Sequence, residues 1–398
     1  MTFPLTKAGP RTRLGVEILL SEKIELIRNL RVGLVCNQAS ILPDFSHTAD
    51  VFGERNEFEL TTLFGPQHGI RGDVQDNMIE TEHSTDEKTG RPIYSLYSET
   101  REPTEKMLAN VDAIVFDMQD VGCRIYTFVY TLANCMRAAK KYGKKVIVCD
   151  RPNPIGGVQT EGDILEPEFE SFVGQFPIPT RHGMTVAELA KLFNEHFGIG
   201  CDLEVVPMLG WDRAFWFEQT NLSWVMPSPN IPTAETTVVF PATVHFEGTE
   251  ISEGRGTTKP FELVGAPYID AEVYAAELDK YRFPGVHFRP TYFRPMFQKH
   301  ADKTCGGVQI HVTNREKFKP VIVGVAMVKA AYALYTEQFQ WKQTAYEYVF
   351  DKNPFDVVSG TDSIRKQIEA SVSIKDIEAD WAEGLAEFNE IRKSFLLY

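Results

Sequence analysis

Five clusters of hydrogen-bonding and charged side chains recur along the first half of the chain. They are Asn37 with Gln38; Gln67, His68 and Arg71; Asp117, Gln119, Asp120 and Arg124; Asp150, Arg151 and Asn153; and Arg181 with His182. Planar amides, carboxylates and guanidinium groups pair with vicinal hydroxyls and with anionic substituents. Carboxyls and imidazoles also pass protons. The candidate carboxyls are Asp117, Asp120, Glu161, Glu247, Glu253 and Glu262, and the candidate anion partners are Arg71, Arg124, Arg151, Arg181 and Arg255. Tyr94, Tyr97, Tyr126 and Trp224 offer flat apolar faces. Together these groups suit a polyhydroxylated, acidic small molecule, and sugar chemistry is what one or two carboxyls among them would serve. Each group also has a structural reading. Asp117 and Asp150 serve equally well to cap a helix or brace a turn, and His182 to brace a loop.

Each cluster but the last directly follows an apolar run with polar stops, the pattern of a buried parallel strand. The runs are 31–36, 59–64, 111–116 and 145–149, and a fifth lies at 203–206. Between them the spacing predicts helices: one capped by Ser21, one over 44–54, a short one capped by Thr104, one over 128–143, and one over 186–197 opened by a Thr185/Glu188 capping box. Alternating strand and helix predict an α/β fold, a Rossmann-like doubly wound parallel sheet whose strand ends share one rim. Residues 73–100 form a long polar excursion. From about residue 238 the pattern changes. Residues 238–240 and 244–246 read as short strands, followed by helix 271–281, strands near 286–293 and 306–312, and helices over 319–337, 362–370 and 374–395. The expected division is a Rossmann-like catalytic domain over 14–237 and a smaller α+β auxiliary domain over 238–398.

Several classes are disfavoured. The net charge of −14 and pI of about 5.2 argue against nonspecific nucleic-acid or anionic-membrane binding. The position of a dinucleotide-binding glycine motif holds Cys36-Asn37-Gln38-Ala39-Ser40 instead, so no nucleotide cofactor is expected. There is no nucleophile elbow of the GxSxG type. No two of the six cysteines are spaced as CxxC and no HExxH occurs, so no metal is expected. The first residues show no apolar leader core, which predicts a cytoplasmic protein, or a periplasmic or secreted one if a signal has been removed.

The ordered blocks NQAS, GPQHGIRGD, TGRPIYSLY, FDMQDVGCRIYTF, DRPNPIGG, SFVGQFPIPTRHGMTVAELA, PSPNIPT, FEGTEISEGRGTTKPFE and CGGVQIHV run through nearly the whole chain. In them the sequence resembles the NamZ family. The resemblance implies an exo-β-N-acetylmuramidase, which removes the non-reducing terminal N-acetylmuramic acid (MurNAc) from peptidoglycan fragments. It also implies a cleft in the N-terminal domain. The implied partner is a MurNAc-containing saccharide or muropeptide. Family members commonly read PEHG where this chain reads Pro66-Gln67-His68-Gly69. An amide cannot exchange a proton as a carboxyl does. Gln67 and His68 therefore mark the expected catalytic position, with Asp120 or Glu161 expected to supply the carboxyl. Asn37, Gln38, Arg71, Gln119, Arg124, Tyr126, Asn153, Arg181, His182, Asn230 and Arg255 are the expected sugar-binding set, with Arg71, Arg124 and Arg181 foremost for the lactyl carboxylate. The Gln67 substitution leaves a second reading open, a muropeptide-binding protein without turnover.

Overall fold

The computed structural model describes residues 10–66, 69–70, 83–97 and 100–398. Gln67, His68 and Arg71 lie outside the described residues. Among those described, a seven-stranded sheet forms the first half. Its strands are β1 (Arg31–Val35), β2 (Glu59–Gly65), β3 (Ser84–Thr85), β4 (Pro92–Ser95), β5 (Ala113–Phe116), β6 (Lys145–Cys149) and β9 (Asp202–Val206). The order across the sheet is β3-β4-β2-β1-β5-β6-β9, all parallel except β3. A separate hairpin pairs β7 (Glu161–Ile164) with β8 (Pro179–Arg181).

The central strands are buried on both faces, and alternate residues enter different cores. Ala113, Val115, Ile147 and Cys149 pack with α1 (Gly15–Ser21) and α2 (Thr48–Gly53). Ile114, Phe116, Val146 and Val148 pack with α3 (Phe128–Tyr142) and α4 (Val186–Lys191). The expected doubly wound sheet is therefore present. The parallel excursion strand β4 extends it by one position, and β3 closes its edge. Two expected helices are not formed. Ser21 ends α1 instead of opening a helix, because its hydroxyl donates back to the Glu17 carbonyl. The Thr104 segment makes only turns, with Leu108 N–H donating to the Thr104 carbonyl.

The second half holds a three-stranded antiparallel sheet, β10 (Leu263–Ala266), β12 (Cys305–Val312) and β11 (Val286–Phe293). Seven helices accompany it: α5 (Ala234–Thr243), α6 (Ala271–Asp279), α7 (Pro320–Leu334), α8 (Pro354–Ser359), α9 (Ser363–Glu369), α10 (Ile374–Asp380) and α11 (Ala382–Arg392). Residues 238–240 are helical, not strand-like, and 244–246 form a 3₁₀ turn. Nearly every α5 residue is buried, so its β-branched run packs as a core helix. It lies so close to α7 that a Cβ on Gly324 would stand 2.1 Å from the Ala242 carbonyl oxygen. The long helix expected over 374–395 is broken near Trp381 into α10 and α11.

The carboxyl ends of β1 and β5, where the strand order reverses, would be the usual crevice of such a sheet. Here the connecting arm covers part of that crevice. Asn37 Nδ2 donates to the Pro227 carbonyl at 2.9 Å, and Gln38 Nε2 to the carbonyls of Met226 and Pro227. Below them, Arg151 grips Asp117 through two bonds of 2.6 and 2.9 Å, and Thr48 donates to the same carboxylate at 2.6 Å. Both charged side chains are almost fully buried. Removing one partner of such a pair strands a charge, which costs about 3–5 kcal/mol. Arg151→Met is expected to lower the urea-unfolding free energy by that amount. The double variant Arg151→Met/Asp117→Leu is expected to lose clearly less than the two single changes summed, and strict additivity would contradict this account.

Candidate active site

Of the expected rim residues, most are engaged inside the fold. Asn153 donates from Nδ2 to the Met184 carbonyl and accepts from Ile155 N–H. Gln119 donates to the Asp120 and Pro152 carbonyls and lines a cavity of about 390 Å³ under Trp224, in the partly covered crevice. Arg181 donates to the Gln159 side chain and the Ile155 carbonyl, and its guanidinium lies 5.6 Å from the Trp216 ring centre. Burial pushes its pKa down to about 10 in spite of Glu161. Asp120 accepts from Gly122 N–H at 2.7 Å, and His182 Nε2 stands 3.7 Å from the same oxygen, too far for a hydrogen bond.

Two further residues join the halves of the chain. Glu161 accepts from Ile322 N–H at 2.9 Å, in the first turn of α7. Arg124 donates from Nη2 to the Val358 and Ser359 carbonyls at the end of α8. Neither lines the cavity described next. Each meets a helix end, the acid at the start of α7 and the guanidinium at the end of α8; burial pushes the Glu161 carboxyl up to about 7, and Nε and Nη1 of Arg124 are buried without a hydrogen-bond partner.

A cavity of about 500 Å³ opens between the halves. Tyr126, Thr127 and Phe128 enter it from the β5–α3 loop and the start of α3; Asn230 comes from the connecting arm, and Glu247, Arg255, Tyr346 and Glu347 from the second half. An adjoining cavity of about 440 Å³ shares Glu247, Arg255, Tyr346 and Glu347 with it. A larger hollow of about 810 Å³ lies elsewhere on the second half, where Lys259 is paired with Glu262 and Arg315 with Glu218.

From the expected binding set, the structure therefore brings Tyr126, Asn230 and Arg255 together. Arg255 contacts Glu247 at 2.5 Å and Glu253 at 3.3 Å. Burial opposes its charge, yet these two carboxylates outweigh burial and hold its proton more firmly than usual. Glu253 feels the same burial, but Lys299 and Arg255 hold its carboxyl below the ordinary range. The Tyr346 hydroxyl donates to the other oxygen of Glu247. The Tyr126 hydroxyl is buried with no well-formed hydrogen bond, only a loose contact with Ser228. Burial pushes its phenol well up, so it stays neutral.

Glu347 was not in the expected set. It is only 7% exposed, and burial followed by the nearby Glu247 charge pushes its carboxyl up to about 7, against Arg101, Arg255 and Lys342. Its backbone is left-handed, as is that of Tyr348, with φ of 45° and 68°. A reader of the sequence sees Tyr-Glu-Tyr in a polar stretch and no glycine to announce such a turn.

Two family models cover almost all of the chain. Residues 32–235 match the N-terminal model of exo-β-N-acetylmuramidase NamZ, and residues 238–398 match its C-terminal model. The chain belongs to the NamZ family. The peptidoglycan β-N-acetylmuramidase NamZ of Bacillus subtilis (strain 168) is 46% identical over 393 residues, 99% of this chain and 93% of that protein. The crystal structure of a DUF1343 family protein from Bacteroides fragilis superposes with a TM-score of 0.88 at 34% identity, covering 98% of this chain and 99% of that one. A second DUF1343 protein from the same organism gives 0.77 at 28%, over 97% and 99%. The NamZ family thus accounts for both halves, and the cavity lies where the two family segments meet.

The raised Glu347 pKa has a consequence for stability. A carboxyl harder to ionise when folded stabilises the fold fully below its unfolded pKa, and this is lost as pH rises through about 7. Glu347→Gln carries no such cost. The variant is expected to match the parent near pH 5 and to exceed it at pH 8 by on the order of 2 kcal/mol in chemical denaturation. A difference independent of pH would contradict the burial of an ionisable Glu347.

Proposed function

We propose that this chain hydrolyses the glycosidic bond of a non-reducing terminal MurNAc in peptidoglycan fragments, with the sugar held in the cavity between the two halves. Membership of the NamZ family makes it a glycoside hydrolase. The observation that carries the placement is the convergence there of a buried carboxyl, a phenol lacking a good partner, an amide and an arginine, from both halves of the chain. Tyr126, whose hydroxyl is unsatisfied, gains a hydrogen bond when a sugar hydroxyl or acetamido oxygen arrives. Phe128, Phe240 and Phe261 line the same space and offer apolar faces to the ring.

The lactyl carboxylate needs a positive partner. Arg124 and Arg181 are engaged elsewhere, and Arg255 already faces two carboxylates. Among the described residues, the opening turn of α3, whose Thr127 and Phe128 line the cavity, offers a further positive end.

With a MurNAc–GlcNAc disaccharide, the purified chain is expected to release free MurNAc, while a disaccharide ending in N-acetylglucosamine is left intact. Tight binding without product at high enzyme concentration would instead mark a muropeptide-binding protein. Tyr126→Phe deletes a poorly partnered buried hydroxyl. It is expected to leave stability unchanged or raise it by about 1 kcal/mol, while kcat/KM falls about tenfold, the equivalent of about 1.4 kcal/mol. Unchanged kcat/KM would remove Tyr126 from the sugar site.

A further inference from the structure

We propose that Glu347 is a catalytic residue of this chain, the general acid that protonates the glycosidic oxygen as the bond to MurNAc breaks. The assignment rests on the muramidase reading of the interdomain cavity.

Position comes first. Glu347 lines both the interdomain cavity and the one adjoining it. A terminal sugar in one and the next sugar in the other would place their shared oxygen beside this residue. The other carboxyls lining these spaces are engaged: Glu247 by Arg255 and Tyr346, and Glu253 by Lys299 at 2.8 Å and Arg255. Among the described residues, no hydrogen bond holds the Glu347 carboxyl. Asp120 and Glu161, the carboxyls expected from the sequence, line neither cavity.

Backbone geometry agrees. Tyr346 and Val349 exchange backbone hydrogen bonds of 3.2 and 2.9 Å, closing a two-residue turn around Glu347 and Tyr348. A turn with both central residues left-handed normally takes asparagine or glycine. Strained conformations of this kind persist only where the surroundings dictate them, and they concentrate at functional sites. Here the surroundings are visible. Arg101 lies 5.0 Å from the Tyr348 ring centre, and also 4.8 Å from that of Tyr97 and 5.3 Å from that of Phe172. The turn is thereby fixed against the first half, with its carboxyl at the junction.

The groups facing Glu347 suit an acid. Burial and Glu247 favour its neutral form, opposed by Arg101, Arg255 and Lys342. A carboxyl that holds its proton near neutrality has one to give. In the step, the bond from C1 to the bridging oxygen breaks and its electron pair stays on that oxygen, which takes the Glu347 proton. Water supplies the oxygen that bonds to C1, and the proton it releases restores Glu347. The sum is hydrolysis.

The test compares two substrates, the MurNAc–GlcNAc disaccharide and a 2,4-dinitrophenyl β-muramide, whose leaving group departs without protonation. For Glu347→Gln, kcat on the disaccharide is expected to fall about 10²–10⁴-fold, while turnover of the aryl muramide stays within about tenfold. The parent's kcat on the disaccharide is expected to fall at alkaline pH, and this fall is expected to be absent from the variant. Equal losses on both substrates, or a disaccharide rate close to the parent's, would overturn the assignment. If the parent hydrolyses neither substrate, the muramidase reading fails instead. Aryl turnover also reports that the variant is folded. Should it be unfolded, Glu347→Asp takes its place, and an equal loss on both substrates would again overturn the proposal.

Discussion

The geometry of the molecule depends on charged side chains of the first half meeting the ends of helices in the second. Glu161 receives an amide from the first turn of α7, and Arg124 gives two hydrogen bonds to the last carbonyls of α8. The acid stands at a helix start and the guanidinium at a helix end, the placement each end favours, while burial pushes the Glu161 carboxyl up to about 7. Both contacts are buried, so water does not weaken them, and loss of either partner would leave an unsatisfied group in the interior. The two halves are thus not free to slide, and one hydrophobic core runs across them, joining Ile114 and Phe116 to Phe240, Val357 and Phe388. A cavity formed between two bodies so locked keeps its shape before any ligand arrives.

This explains why the rim of the sheet is so polar and yet so little exposed. The strand ends carry amides, carboxylates and arginines because the connecting arm and the second half lie over them, and every covered backbone group needs a partner. Asn37 and Gln38 satisfy the arm at Pro227, Asn153 the loop at Met184, and Arg181 the loop at Ile155. The bonds at Pro227 cover part of the usual crevice of the fold, and the proposed sugar site lies beside the start of α3.

Much of the architecture was legible in the sequence. Apolar runs such as Ala113–Phe116 and 146–149 reveal buried parallel strands because a strand covered on both faces is apolar along its buried length. Residues 238–240 read as strand because valine and phenylalanine favour strands locally, but tertiary burial places them in the helix Ala234–Thr243. The site was less legible. A polar cluster at a strand end has the same composition whether it grips a ligand or a covering loop, and only the fold decides which. Tyr126, Asn230 and Arg255 reached the cavity; Asn37, Arg124 and Glu161 did not. Glu347 escaped notice because its position depends on two left-handed residues that sequence pattern does not disclose.

A carboxyl on a strained turn in the second half also bears on how a chain with Gln67 at the position where the resemblance implies glutamate would work. The first half provides a rigid floor, an unsatisfied phenol and the positive end of α3. The second half provides the carboxyls, one engaged by Arg255 and Tyr346 and one without such partners. A buried acid next to another carboxylate costs folding energy at neutral pH, and a protein keeps such a group only if something offsets that cost. The strain at Glu347 and Tyr348 points the same way, since a glycine or asparagine would relieve the turn but would remove the acid or the ring that pins it to Arg101. Stability is set lower at this one turn so that an acid stands where two sugars would meet.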